Sequence, residues 1–167
     1  MLDAFEGPVR VLDVGGRPQY WQSMLQGRDL QKVRHVTLLN VSAYPVDDPR
    51  FTSIAGDGRH MPQFADGEFD IVFSNSTIEH VGTVDDQRRM ANEVRRIGRA
   101  YYIQTPNLYF PIEPHFLFPF FQFLPVSLRV AMVRHFALGG YAAIPDKEAA
   151  FREVDSIRLL TRSRMRA

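Results

Sequence analysis

The chain has no cysteine, few lysines and no long apolar run. The absence of Cys among its 167 residues excludes disulfides, a thiolate nucleophile and a zinc site built from Cys ligands. Its two lysines are Lys32 and Lys147. No apolar stretch reaches the roughly 18 residues of a membrane-spanning helix, so no transmembrane segment is expected.

Net charge is also low. Twenty Lys and Arg residues are set against 19 Asp and Glu residues, which gives a formal net charge of +1. Because a dedicated nucleic-acid-binding domain normally has a strong basic excess, nucleic acid is not expected as a partner. The N-terminal stretch MLDAFEGPVR has neither the basic nor the apolar region of a secretory signal. Together with the lack of Cys, this favours a cytoplasmic location.

Hydrophobic residues make up 45% of the chain, which is typical of a globular protein. The length favours a single domain over residues 1–167. Strand-like runs alternate with helical stretches, and this alternation predicts an α/β fold with a mainly parallel sheet. The five predicted strands are residues 9–14, 36–40, 53–55, 70–74 and 100–104.

Helices are predicted between and after these strands, at residues 19–26, 85–97, 125–136 and 146–164, the last interrupted or bent near Val154. Residues 107–138 form an aromatic, proline-rich insert, in which four prolines forbid one continuous helix before Pro125. The predicted organisation is therefore a core at 9–106, this insert, and a C-terminal helical segment at 146–164.

The run VRVLDVGG at residues 9–16 carries the strongest functional signal. It predicts a buried strand that ends in Asp13 and is followed by a glycine turn. Glycine lets the backbone adopt positive φ and lets a ligand approach closely, and ligands of open α/β sheets bind beyond the carboxyl ends of the strands. An acidic residue there suits a cationic or hydroxyl-rich ligand and would repel a pyrophosphate.

This run does not fit a nicotinamide-dinucleotide site. Such a site needs G-x-G-x-x-G after the first strand and an acidic residue about 20 positions later. Here the turn has only Gly15 and Gly16, and Asn40 stands where the ribose-binding acid belongs. An NAD-dependent oxidoreductase is therefore not expected.

Three segments occur in a specific order: LDVGG, GDGRHMPQFADGEFDIVFSN and IEHV. Over residues 9–106 they resemble class I S-adenosylmethionine-dependent methyltransferases, in particular the small bacterial type 11 methyltransferase domains. The resemblance implies a Rossmann-like sheet with helices on both faces, S-adenosylmethionine as cofactor, and methyl transfer to an O, N or C nucleophile. The family normally closes its sheet with two further strands, and the expectation here is five strands without that closing hairpin.

The resemblance also implies a cofactor site. The glycine turn would hold the methionine end with Asp13 near its amino group, Asn40 would meet the ribose, and Asp57 would accept from the adenine amine. In this sequence Arg17 and Pro18 follow the turn where the family has a further Gly, and Asn40 replaces an acid. A loop position for Asn40 and an ordinary Asp-Gly turn at Asp57 are the alternatives. The implied cofactor-binding residues are Asp13, Gly15, Gly16, Asn40, Val41, Asp57, Gly58, Ser74 and Asn75.

His80 is the candidate catalytic residue. Imidazole titrates near neutral pH, so His80 could act as a general base, although packing beside the cofactor explains a His there equally well. Some quinone-pathway relatives carry an E-x-x-E-H cation site at this place. Ser76 replaces the first carboxylate here, and because only Glu79 and His80 remain, no metal is expected.

Four residues are candidates for the acceptor pocket: Glu79, Tyr109, Glu113 and His115. The aromatic segment around the last three favours a small, partly hydrophobic and lipid-like acceptor. The same segment could instead cover the open edge of the fifth strand, supported by a homodimer, or contact a lipid surface. The second function hypothesis is a non-enzymatic binding or regulatory module that keeps the methyltransferase fold, favoured by Asn40, the missing Gly and the missing strands.

Overall fold

The structure is a computed structural model that describes residues 5–24 and 31–166. The chain divides into two compact units, Met1–Gln104 and Thr105–Ala167. The N-terminal unit holds the sheet, and its end lies two residues before the predicted end of the core at residue 106. The organisation as one domain stays a prediction.

Five parallel strands form the sheet of the N-terminal unit. They are β1 (Val9–Val14), β2 (Val33–Asn40), β3 (Phe51–Ala55), β4 (Phe69–Asn75) and β5 (Gly98–Gln104). Their spatial order is β3-β2-β1-β4-β5, and each neighbouring pair is parallel. The chain order reverses between β1 and β4, which is where an open α/β sheet binds its ligand. The predicted Rossmann-like fold is confirmed.

Helices cover both faces of this sheet because β1 has apolar side chains on both sides. On one face Val9 and Val11 pack with Trp21 of α1 (Pro18–Met24). Val14 points to the opposite face, where both it and Met90 of α2 (Val84–Ile97) lie within 4 Å of the position that a Cβ would take at Gly58. The uninterrupted apolar run of β1 is therefore a consequence of double coverage.

Local sequence sets both the start and the buried face of α2. Thr83 accepts a hydrogen bond from the Asp86 backbone N–H at 3.2 Å, and Asp86 accepts one from the Thr83 backbone N–H at 2.9 Å. This capping box satisfies two N–H groups at the helix start. Met90, Val94 and Ile97 are 0% exposed and form the buried face that their spacing predicts.

Apart from β1, which spans its predicted residues, and the last predicted helix, the described element bounds differ from the sequence predictions by one to three residues. The largest shift is at β2, which starts at Val33 rather than at residue 36 because Val33 pairs with Val9 of β1. Helix α1 begins at Pro18, since proline is well tolerated in the first helical turn. The predicted end of this helix at residue 26 lies outside the described residues.

A short hairpin and three helices build the C-terminal unit. They are β6 (Ile112–Glu113), β7 (Phe118–Pro119), α3 (Val126–His135), α4 (Lys147–Ser156) and α5 (Arg162–Met165). This unit has its own apolar core, made by Phe116, Phe121, Val130, Val133, Ala150 and Val154.

The helix predicted over residues 146–164, interrupted or bent near Val154, is interrupted in the structure, but slightly later in the chain. Helix α4 ends at Ser156, and Ile157 adopts an extended conformation. The break follows from burial: Leu159 and Leu160 are 9% and 6% exposed, and the Leu160 carbonyl accepts from the Leu108 backbone N–H at 2.9 Å. A helical continuation would lose that pairing. Val154 lies inside α4 and is buried, so it does not mark the break.

Strand β5 is at the edge of the sheet, and no strand of the described chain pairs with its outer side. Tyr101 and Tyr102 on this strand are 48% and 44% exposed. Over residues 5–24 and 31–166, the sheet thus has five strands and no closing pair. Among the described residues, no helix has both the length and the apolar character needed to span a bilayer.

Candidate functional site

One cleft opens beyond the carboxyl ends of β1, β2 and β3 in the N-terminal unit. Its volume is about 720 Å³, which lies within the range of about 300 to 1,000 Å³ usual for small-molecule sites. Six of the nominated site residues line it: Gly15, Asn40, Val41, Asp57, Gly58 and His80. The rest of the lining is Val14, Leu39, Gly56, Arg59, Thr77, Val81 and Gly82.

The glycine turn after β1 forms one side of this cleft. Gly15 has a φ of +85°, and its backbone N–H donates to the Leu39 carbonyl at 2.8 Å. A Cβ at this position would lie 2.1 Å from Thr77 Oγ1. A side chain is therefore excluded both by the backbone conformation and by the close approach of Thr77.

Gly16 is required for a different reason. A Cβ there would lie 1.9 Å from the carboxylate of Asp13. The Asp13 side chain is 1% exposed and accepts a hydrogen bond of 2.5 Å from Trp21 Nε1. Burial raises the pKa of Asp13 to about 7, and the bond from Trp21 opposes part of that rise. Asp13 and Gly16 thus lie directly behind the turn and do not line the cleft.

Asn40 is the last residue of β2, and it forms hydrogen bonds with two other residues of the cleft lining. Its side-chain Oδ1 accepts from the Val41 backbone N–H at 2.9 Å, and its carbonyl accepts from the Gly56 N–H at 2.8 Å. Val41 is 86% exposed. One acceptor of Asn40 is therefore engaged locally, by the backbone N–H of the next residue.

Asp57 is paired with Arg59, a residue that sequence reasoning did not nominate. Arg59 Nε and Nη2 donate to the two carboxylate oxygens of Asp57 at 2.9 and 2.8 Å. These bonds hold the pKa of Asp57 below its ordinary value. Arg59 also donates to the Val81 carbonyl at 3.3 Å and lies 3.5 Å from Asp86. The guanidinium therefore links the loop after β3 to the start of α2.

The possible signal for Arg59 was its position two residues after Asp57 in the segment GDGRH, a spacing at which a guanidinium can pair with the carboxylate. Gly82, which has a φ of +111°, and Thr77 were also missed. Neither belongs to a motif, and their place in the cleft comes from the fold alone.

Ser74 and Asn75, at the end of β4, were nominated but do not line the cleft. Ser74 is fully buried, and its Oγ donates to the Val14 carbonyl at 2.9 Å, which fastens β4 to β1. Asn75 Oδ1 accepts from Ser76 Oγ at 3.2 Å. Both residues therefore stabilise the end of β4.

His80 and Glu79 sit in one turn of 3-10 helix, Ile78–His80, directly after β4. His80 is exposed and lines the cleft. Glu79 is 0% exposed and is not part of the lining. Of the two neighbours, only the imidazole can therefore meet a molecule in this cleft.

This geometry agrees with the comparison against family models. Residues 12–100 match the model described as a methyltransferase domain. The match covers more than half of the chain and contains every element that borders the cleft. The chain belongs to this family. The predicted class I methyltransferase domain is confirmed, and S-adenosylmethionine is the cofactor of that family.

The chain aligns with less than a third of the length of two curated relatives. Two uncharacterized Mycobacterium tuberculosis proteins, MT1557 of strain CDC 1551 and Rv1509 of strain H37Rv, are each 34% identical over 89 residues. That alignment covers 53% of this chain and only 29% of each relative.

Solved structures share the fold. A protein of Anabaena variabilis, provisionally named a methyltransferase of an antibiotic biosynthesis pathway, aligns with a TM-score of 0.55 at 15% identity, over 93% of this chain and 57% of its own. A SAM-dependent methyltransferase of Aquifex aeolicus aligns with a TM-score of 0.50 at 14% identity, over 78% and 74%. At such identities the similarity concerns the fold.

The cleft of the methyltransferase domain suits S-adenosylmethionine in size and in chemistry. It has an open glycine turn at Gly15 and polar acceptors at Asn40 and Asp57, all at strand ends. Gly58 packs so closely against Val14 that a Cβ there would lie 2.8 Å from Cγ1 and displace this part of the lining. The residues present therefore fit the cofactor.

The remaining acceptor-pocket candidates belong to the C-terminal unit. Glu113 is 2% exposed, and it accepts from His115 Nδ1 at 2.6 Å and from the Phe116 backbone N–H at 2.8 Å. It lines a separate cavity of about 180 Å³ within that unit. Tyr109 is 69% exposed and does not line this cavity. Glu79 belongs to the N-terminal unit, and the acceptor pocket stays a prediction.

Proposed function

We propose that this chain binds S-adenosylmethionine in the 720 Å³ cleft and transfers its methyl group to a small acceptor. One observation carries the proposal: the ends of three consecutive strands bring Gly15, Asn40 and Asp57 into a single cleft of a methyltransferase domain. Gly15 would receive the methionine end, Asn40 the ribose and Asp57 the adenine amine.

The cofactor supplies a methyl group on a sulfonium, which is already electrophilic, so the protein has to orient the acceptor and exclude water. Orientation alone can provide on the order of 7 to 11 kcal/mol in well-aligned reactions. Val14, Leu39 and Val81 give the cleft an apolar wall that disfavours water.

His80 is the residue that we assign to proton transfer. It is exposed, lines the cleft and follows β4 at the point where the strand order reverses. A neutral imidazole there would accept the proton of an acceptor O–H or N–H as the new bond forms. An acceptor that is already nucleophilic would not need it.

The acceptor that we propose is small and partly hydrophobic. Support comes from the apolar part of the cleft lining, made by Val14, Leu39 and Val81. The nucleophilic atom is O, N or C.

A second candidate function is binding of the cofactor without transfer. It is supported by the local engagement of both polar acceptors, since Asn40 accepts from Val41 and Asp57 pairs with Arg59. A regulatory module of this kind would bind S-adenosylmethionine and release it unchanged.

Calorimetry with S-adenosylmethionine tests the first step, with NAD as the control ligand. Binding of S-adenosylmethionine together with no binding of NAD supports the proposal, and no binding by the folded protein contradicts both candidate functions. Release of S-adenosylhomocysteine after addition of a lipid or metabolite extract separates transfer from binding alone. His80→Ala should reduce that release and leave the binding constant unchanged.

A further inference from the structure

A group of exposed aromatic and aliphatic side chains covers part of the C-terminal unit. We call it the aromatic patch: Tyr109, Phe110, Ile112, Phe120 and Phe123, which are 69%, 56%, 44%, 56% and 51% exposed. Single exposed apolar residues are common, whereas several in contact mark an interaction surface.

Specific contacts hold the members of the patch together. The rings of Tyr109 and Phe123 stack with centroids 6.2 Å apart. Gln122 Nε2 donates to the carbonyls of Leu108 and Phe110 at 2.9 and 2.8 Å, which fixes the Tyr109 loop beside the Phe123 turn. The Phe120 backbone N–H donates to the Pro111 carbonyl at 2.7 Å.

The backbone is strained where it presents apolar side chains to solvent. Leu117 and Phe120 have φ values of 48° and 55°, a region that bulky residues rarely adopt. Leu117 lies at the turn of the hairpin and is 65% exposed. Burial of its side chain therefore does not compensate for its unfavourable backbone conformation. Such strain concentrates at binding and switching segments.

A cationic segment lies next to the patch. Residues 156–167 contain four Arg and no Asp or Glu. The Leu108 backbone N–H donates to the Leu160 carbonyl at 2.9 Å, which places the start of α5 beside the residue that precedes Tyr109. Arg162 and Arg164 are exposed, and neither is joined to a carboxylate within the described residues.

We propose that the aromatic patch, with Arg162 and Arg164, binds the surface of an anionic lipid bilayer. Aromatic and aliphatic side chains beside exposed cations are the combination that favours the interfacial region of such a membrane. A second copy of the chain is a less suitable partner for this surface. Symmetric pairing through it would bring the same cations of the two copies close together, where they repel each other. The proposal does not depend on cofactor binding.

Sedimentation of the whole chain with vesicles tests it. We expect binding to vesicles of phosphatidylcholine with 30 mol% phosphatidylglycerol and little binding to phosphatidylcholine alone, with affinity falling as salt is raised. The double change Arg162→Gln and Arg164→Gln should weaken binding about 25-fold, about fivefold for each charge. Phe120→Asn should weaken it at least fivefold, because Asn accepts the positive φ but not the apolar contact.

Matched controls come from elsewhere on the surface. Arg88→Gln with Arg89→Gln removes the same charge from side chains that are 74% and 69% exposed on α2, and Phe151→Asn removes an aromatic ring that is 48% exposed on α4. Both controls should bind vesicles like the unmodified chain, and thermal melts check that every variant is folded. Equal binding to neutral and anionic vesicles, or equal loss in the controls, overturns the proposal. A dimer in light scattering that Phe120→Asn dissociates also overturns it and assigns the patch to a second copy.

Discussion

The Asp57 carboxylate and the Arg59 guanidinium form a two-bonded ion pair inside the cleft, with Nε and Nη2 donating at 2.9 and 2.8 Å. Asp57 is the residue nominated to receive the adenine amine. A carboxylate has about four acceptor sites, so the pair leaves acceptor capacity for a ligand. Arg59 fixes the orientation of the carboxylate and keeps it ionised.

Asp57→Ala should weaken S-adenosylmethionine binding by about 1 to 3 kcal/mol, because a hydrogen bond to the adenine is lost. The dissociation constant from calorimetry measures the effect. Asp85→Ala is the matched control, since Asp85 pairs with an Arg three residues on, and its side chain is 74% exposed on α2. An unchanged constant for Asp57→Ala would remove this residue from the site.

Asn40→Asp should tighten cofactor binding on the order of fivefold, because a carboxylate makes stronger, charge-assisted bonds to ribose hydroxyls than an amide does. The change keeps the oxygen that accepts from the Val41 N–H. Asn107→Asp is the control, since the side chain of Asn107 also accepts from a nearby backbone N–H, that of Tyr109 at 2.9 Å. Weaker binding by Asn40→Asp would mean that Asn40 donates through its amide instead.

Gly15→Ala should lower the free energy of unfolding by at least about 2 kcal/mol, because a Cβ is disfavoured at φ +85° and would overlap Thr77. Urea denaturation measures this value. Gly7→Ala is the control, as nothing lies within 4 Å of a Cβ there, and it should have little effect. Equal stability of both variants would disprove the packing argument.

Asp13 should make stability depend on pH. Its pKa in the folded protein is about 7 against an ordinary 3.8, so between these values the folded state binds more protons than the unfolded state. The free energy of unfolding should therefore fall as pH rises from about 4 to 7 and level off above.

Asp13→Asn tests this dependence. The amide stays neutral and keeps an oxygen for the Trp21 N–H, so the decline should flatten and the variant should gain up to about 4 kcal/mol at pH 8. Denaturation at pH 5 and pH 8 measures both effects. A variant that loses stability equally at the two pH values would show that Asp13 is ionised in the folded protein at both.

Much of the fold could be predicted because its signals are local. The run at residues 9–14 is apolar on both faces, as a strand covered on both sides requires, and β1 spans these residues. The buried face of α2 follows from the spacing of Met90, Val94 and Ile97. The interruption of the helix over 146–164 was predicted near Val154 but occurs at Ile157, where the remote pairing of Leu160 with Leu108 outweighs local helix propensity.

The candidate site was predictable in part. Gly15, Asn40 and Asp57 stand at or within two residues of the ends of predicted strands. Parallel strands bring their carboxyl ends to the same edge of the sheet. Arg59 was missed because its role depends on a carboxylate partner and on the Val81 carbonyl, which is 22 residues away along the chain. The burial of Glu113, a candidate for the acceptor pocket, was not predicted, because the hairpin that contains Glu113 pairs over too few residues to give a sequence pattern.

The sequence by itself determined the strands, the glycine turn and the family, because each depends on residues close together in the chain. Only the tertiary structure decided that Asp13 is buried against Trp21 and that the aromatic patch is exposed beside α5. Burial and ion pairing depend on which remote segments meet. The same carboxyl group has an ordinary pKa of 3.8 in water, and burial raises its pKa to about 7 when the fold removes its solvent.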